Sequence, residues 1–227
     1  MAGRISYYGN IAFEGLILNF DAAKKESYNG GTSWNDIMEN GCVATLTNGA
    51  KFDNENIGTI SFDGLDDFAL ITPAPDISSN LTYCAWVNVN SFAANNAVLS
   101  IEGTLLQLDS SGITWWSNII LPPLYEGISK NTGEWYYISV THQGTQSNIF
   151  VNGLKTNGPS TMPTINTSYP GGENSFRMIG CYGGNIPEYP ESRHLNGRVN
   201  NVLIYNRALS ESEVLQNYNA TKSRFGL

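Results

Sequence analysis

The acids Asp63, Asp66 and Asp67 crowd into FDGLDDF around a single glycine, a spacing that can gather hard oxygen ligands about a Ca²⁺ ion. The same spacing also suits a capped hairpin, whose aspartate side chains bond to the backbone of their own turn, and the sequence leaves both readings open. The second chemistry on offer is aromatic. Trp115, Trp116 and Tyr125 flank a proline-containing loop, and Tyr182 and Tyr189 lie in CYGGNIPEYPES. Rings held on loops can offer a flat apolar face to a sugar or anchor a protein partner. Trp115 and Trp116 are adjacent, so in a strand they point to opposite faces and at least one belongs to the core.

Hydrolytic chemistry finds little to work with. There is no G-x-S-x-G, no H-E-x-x-H and no phosphate-binding loop. His142 and His194 sit beside turns without a Ser or Cys motif to activate. Glu102 in SIEG is isolated, and Glu188 and Glu191 in IPEYPES lie among prolines, where solvated acids are expected. The residues therefore point to a binding or structural protein and not to an enzyme.

The composition narrows the class further. A formal charge of -8 offers no basic stripe to displace counterions from phosphates, which excludes nucleic acid and an anionic membrane surface as expected partners. Cys42, Cys84 and Cys181 are an odd and sparse set without C-x-x-C spacing, so no disulfide framework is expected. In the opening MAGRISYYGNIAFEGLILNF, Asn10 and Glu14 break the apolar run, so neither a secretory leader nor a membrane span is expected and synthesis is placed in a cytosol. Sequons at Asn80, Asn166 and Asn219 are accordingly read as chance.

These groups must be positioned by short strands. Asn-Gly pairs at Asn29, Asn40, Asn48, Asn152, Asn157 and Asn196 punctuate apolar runs, and Asn-Gly tolerates the positive φ of hairpin turns. LTYCAWVNV (81–89) sets Leu81, Tyr83, Ala85, Val87 and Val89 on one face and Cys84 and Trp86 on the other, so both faces are covered. WYYISVTHQGTQSNIFVNG (135–153) reads as a hairpin. Weaker strand patterns cover 16–20, 59–62, 68–71, 98–101, 105–108, 113–116, 176–180 and 199–205, while 117–134 and 154–175 read as long loops. Trp34, Trp86 and Trp135 are assigned to the core. Only the end departs from this pattern: Ser210 with Glu213 forms a capping box, Leu209 with Val214 a hydrophobic staple, and Val214, Leu215 and Tyr218 an apolar face for one short helix. The expected fold is an all-β, antiparallel two-sheet jelly-roll sandwich with one short C-terminal helix, built as an N-terminal arm over 1–15 and one domain over 16–227.

The segments GLILNFDAAKKESY, SFDGLDDFALI, LTYCAWVNV, GEWYYISVTHQGTQSNIFVNG and LNGRVNNVLIYNRALSESEV resemble the LamG-like, concanavalin A-like lectin/glucanase jelly rolls. In that family the IYNRALSESEV-like segment is a last strand running into a closing helix. The resemblance implies frequent calcium binding, although Asn200 and Asn201 stand where many relatives carry acids. Retaining β-glucanases of this fold take their paired carboxylates from an E-x-D-x-x-E run, which is absent here. The opening ISYYGNIAFEGLILNF and the ending NYNATKSRFGL resemble LamG-like structural components of tailed bacteriophages. That implies a virion protein made in the host bacterial cytoplasm, a capsid decoration or tail-fibre component. Its partners would be the major capsid protein or tail components, as a homo-oligomer, with host surface glycans as the alternative ligand.

Overall fold

The computed structural model describes residues 10–38, 40–54, 58–92, 95–117, 123–165, 177–183 and 193–227. Two antiparallel sheets face each other. The first is built from β1 (Leu16–Asp21), β4 (Lys51–Asp53), β5 (Thr59–Asp63), β7 (Leu81–Val89), β12 (Trp135–Gln143), β13 (Gln146–Val151), β14 (Leu154–Thr161) and β16 (Asn196–Tyr205). The second holds β2 (Ser33–Asn35), β3 (Val43–Thr47), β6 (Phe68–Thr72), β8 (Asn96–Ile101), β9 (Thr104–Asp109), β10 (Gly112–Trp116), β11 (Leu124–Tyr125) and β15 (Arg177–Ile179). Their orders are β14-β13-β12-β7-β16-β5-β4, with β1 also on β16, and β11-β10-β9-β8-β15-β6-β3-β2. Among the described residues every strand pairing is antiparallel and non-consecutive strands are neighbours, which makes the fold a jelly-roll sandwich.

β7 is buried along its whole length, as its two apolar faces require. Tyr83, Ala85 and Val87 enter the inter-sheet core with Leu18, Phe20, Trp34 and Trp115. Cys84 and Trp86 face outward into a second apolar cluster beneath α1 (Glu211–Thr221) and the 3₁₀ turn Lys222–Phe225. There Trp86 stacks on Phe225 at 4.1 Å and donates its indole N–H to Thr221 Oγ1 at 2.7 Å. Burying an aromatic side chain of this size contributes about 2–3 kcal/mol, so the closing helix is held mainly by the sheet it covers.

The capping box is present: Ser210 Oγ accepts from Glu213 N–H, and Glu213 Oε2 accepts from Ser210 N–H at 2.9 Å. Leu209 and Val214 are both buried in the cluster, as the staple requires. Leu215, however, is exposed, because the face that meets the sheet runs Val214, Asn217, Tyr218, Thr221 at helical spacing and Leu215 lies to one side of it. Asn217 takes the buried place, donating to Tyr205 Oη and accepting from Ala12 N–H. Among the described residues no helix is long and apolar enough to cross a membrane.

Three further expectations are corrected. Residues 154–161 form β14 and not a loop: Asn152 and Gly153 adopt left-handed φ and turn the chain back onto β13. As an edge strand, β14 tolerates the lysine, asparagine and proline that hid it. Within 117–134, Leu124–Tyr125 pairs with β10. Trp135 is half-buried and packs on Phe225 at 4.7 Å outside the inter-sheet core.

Candidate functional site

Strand register sorts the aromatic residues onto faces. Thr114 pairs with both Gln107 and Tyr125, and Trp116 lies two residues further along the same face, so Tyr125, Thr114, Gln107 and Trp116 share the outward side of the second sheet. Trp115 falls on the opposite side. It is fully buried and meets Tyr83 edge-on at 5.6 Å, which removes it from any ligand surface. Tyr125 is 42% exposed and Trp116 is half-buried, with an indole N–H that has no acceptor.

Arg193 joins the row. Its guanidinium carbon lies 5.8 Å from the Trp116 ring centre and 5.5 Å from that of Tyr182. Arg193 Nη1 donates to Gln107 Oε1 at 2.6 Å, and Gln107 Nε2 donates to Asp109 Oδ2 at 3.2 Å. The guanidinium is therefore fixed by one hydrogen bond and two ring contacts, each ring contact contributing about 0.5–1 kcal/mol at partly exposed sites. Tyr182 is buried beneath it and serves as its support. Tyr189 lies outside the described residues. The outward face thus sets the exposed Tyr125 ring and the half-buried Trp116 ring in a row with the Arg193 guanidinium, over the buried Thr114 and Gln107, an aromatic and cationic surface of the kind that binds a polyhydroxylated ligand.

Below the rim that carries Tyr125, the chain folds back on β10 through an ion pair. Lys130 Nζ donates to both Glu126 oxygens, at 3.1 and 2.9 Å, and to the Ile128 carbonyl at 2.6 Å. Glu126 Oε2 would lie 2.8 Å from a Cβ on Gly112, so this close approach needs a glycine there. Asn157 of β14 donates to the Tyr125 carbonyl at 2.6 Å and ties the rim to the other sheet.

The acidic cluster lies at the turn between β5 and β6. Asp63, Asp66 and Asp67 can bring one carboxylate oxygen each to within 4.8 Å of the others. Asp67 Oδ2 accepts from Asp63 N–H and Asp63 Oδ1 from Leu65 N–H, which is the capped-turn reading. Asp67 Oδ1 is buried and has no hydrogen-bond partner, an oxygen suited to a cation. Burial raises the Asp67 carboxyl above its ordinary pKa, and the charges of Asp63 and Asp66 add to that. The donor set suits a hard cation, and a Ca²⁺ ion bound here would be held by Asp63, Asp66 and Asp67. Where acids were expected to be replaced on β16, Asn200 Oδ1 instead accepts from Arg224 at 3.1 Å, and Arg224 also grips Asp21.

The fold also brings together two pairs that the sequence did not suggest. His142 opposes Ser147 across the β12–β13 hairpin, with Nδ1 and Oγ 2.7 Å apart, and Cys181 Sγ lies 4.0 Å from His194 Nε2. Ser147 and Cys181 are fully buried, and burial lowers the His142 pKa. Glu102 accepts from Arg177 Nε at 2.7 Å, and Glu188 and Glu191 lie outside the described residues. Cys42 and Cys84 are buried thiols whose pKa values burial raises. Gln107 had a legible signal, the one polar residue of the run LLQL (105–108), whereas Arg193 had none.

Domain 4 of AbnA, a GH43 extracellular arabinanase from Geobacillus stearothermophilus solved with arabinotriose, is similar at TM-score 0.68 and 15% identity, over 91% of this chain and 98% of that one. Trypanosoma rangeli sialidase in complex with sialic acid matches at 0.67 and 18% identity over 94% of this chain and 34% of its own, so the chain spans about a third of the sialidase. The receptor-binding domain of botulinum neurotoxin type G matches at 0.63 and 16% identity, over 91% and 51%. Likeness at these identities is one of fold. No curated protein matches. Residues 63–215 match the model of the concanavalin A-like lectin/glucanases superfamily, and the chain belongs to that family.

Proposed function

We propose that the chain is a non-catalytic glycan-binding module whose sugar-contacting surface is the outward face of the second sheet, from Tyr125 across Trp116 to Arg193. The observation that carries this reading is the fixed Arg193 guanidinium between the rings of Trp116 and Tyr182, next to Gln107. Such a row pre-organises stacking surface and hydrogen-bond donors before a ligand arrives, which lowers the ordering cost of binding. Two of the structural neighbours are described in complex with arabinotriose and with sialic acid, which supports a saccharide ligand here.

The non-catalytic part rests on the candidates that lie among the described residues. Ser147 and Cys181 are out of reach of substrate, and Glu102 is spent on Arg177. Two carboxylates flanking a sugar, as glycosidases require, are not found among the described residues of this face. Purified protein incubated with polysaccharides should release no reducing sugar.

The setting follows from the resemblance of the chain's two ends to tailed-phage structural components. We place the module on the virion, as a capsid decoration or fibre component made in the host bacterial cytoplasm. It would assemble as a homo-oligomer on the major capsid protein or tail components and meet host surface glycans. Glycan-array binding by the purified chain, compared with Trp116→Ala, tests the ligand. Cryo-electron microscopy of source particles tests the setting, and particles without jelly-roll density would reject it.

A further inference from the structure

A cavity of about 630 Å³ opens between the β1–β2 connection and β4. Its lining includes Lys24, Lys25, Tyr28, Asn29, Phe52 and Asn54. The Tyr28 and Phe52 rings stack at 4.8 Å with their planes 9° apart. Among the described residues the cavity's lining holds two lysines and no carboxylate; Lys24 Nζ lies 4.0 Å from Asp21 Oδ2, outside that lining. The cavity is an aromatic recess with a lysine, Lys25, exposed at its edge.

The recess is built rigidly. Ser27 N–H and Tyr28 N–H both donate to the Lys24 carbonyl, at 3.0 and 2.8 Å, and Ser27 Oγ joins Asp21 N–H to the Asn35 carbonyl. Tyr28 Oη donates to the Gly31 carbonyl at 2.8 Å, which fixes the ring. Gly58 has φ +128°, and a Cβ there would lie 2.7 Å from the Ala22 carbonyl oxygen and 3.0 Å from Phe52, so the wall closes only around a glycine. Lys25 is exposed at the mouth.

We infer that this recess is a second binding site, distinct from the Trp116 face, and that it takes an acidic saccharide unit. The Tyr28–Phe52 pair offers apolar ring surface to a pyranose, Asn29 and Asn54 offer amide donors and acceptors to its hydroxyls, and the ammonium of Lys25 pairs with its carboxylate. The volume lies within the range of small-ligand sites, about 300–1,000 Å³.

Titration of the ¹⁵N-labelled full chain with digalacturonate, against a neutral galactose disaccharide, tests the site. Digalacturonate should shift the amides of residues 22–30 and 52–54 saturably, with the neutral sugar about tenfold weaker or worse. Lys25→Gln, at an exposed position, should keep the wild-type melting temperature and weaken digalacturonate about fivefold to tenfold. Trp116→Ala should leave these shifts in place, which separates this site from the face proposed above. Shifts absent from these segments, equal response to the neutral sugar, or the same shifts from sodium sulfate at equal concentration would each overturn the assignment.

Discussion

Arg224 grips Asp21 through both carboxylate oxygens, at 2.8 and 2.9 Å, across 203 residues of chain. The same guanidinium donates to Asn200 Oδ1, so the C-terminal turn, β1 and β16 meet at one side chain. Asp21 is nearly buried, and removing Arg224 leaves it with only the longer Lys24 contact, at 4.0 Å, to compensate its charge. Arg224→Ala should cost about 3 kcal/mol in urea unfolding. Arg224→Lys should recover only part of that, because an ammonium cannot match the fork.

The Glu126–Lys130 pair is buried more deeply, with side chains 1% and 3% exposed. Lys130→Met should cost about 3 kcal/mol, and the double variant Glu126→Gln/Lys130→Met less than the single one, because both charges are then gone. A double-mutant cycle measures the coupling. Limited proteolysis should show the loss first around Gly127 and Ile128, the exposed residues the pair holds down.

Stability should fall in acid through Glu213. The Arg207 guanidinium, donating at 2.6 and 3.0 Å, holds this carboxyl down at about 2 from 4.5. A carboxylate whose pKa falls on folding stabilises the fold above its unfolded value, and that contribution is lost as pH drops from 4.5 through 2. Because the side chain is 28% exposed, screening holds the effect to about 1–2 kcal/mol. Glu213→Gln keeps the capping geometry, so it should lose this amount at pH 7 and unfold with a flatter dependence below about pH 5.

The buried, unpartnered Asp67 Oδ1 predicts a response to Ca²⁺. At about 10 mM, the ion should raise the melting temperature by roughly 3–7 °C, taking an affinity of about 10⁻⁴–10⁻³ M, the weak end of the range for calcium sites. Asp67→Asn should abolish that response. No shift in the wild-type protein would leave the cluster as a capped turn alone.

Much of the fold was legible because it is written in local patterns. β7 showed its two apolar faces, the β12–β13 hairpin its Gly turn, and α1 its capping box and staple. β14 was hidden because an edge strand need not alternate apolar and polar residues, and Leu215 misled because one residue of helix phase decides which side chain meets the sheet. The site was legible only in part. Trp116 and Tyr125 stand out as residue types, but their common face depends on pairing with β9 and β11, and Arg193 reaches Gln107 across 86 residues. Contacts of that range leave no local signal.

The most direct test is glycan-array binding by the purified chain beside Trp116→Ala. The face proposed here predicts defined glycan binding that falls at least about tenfold in the variant, with the fold intact, because one buried stacking ring contributes on the order of 1.4 kcal/mol or more. Glycan binding unchanged in Trp116→Ala, or no binding by the wild-type chain, would contradict it.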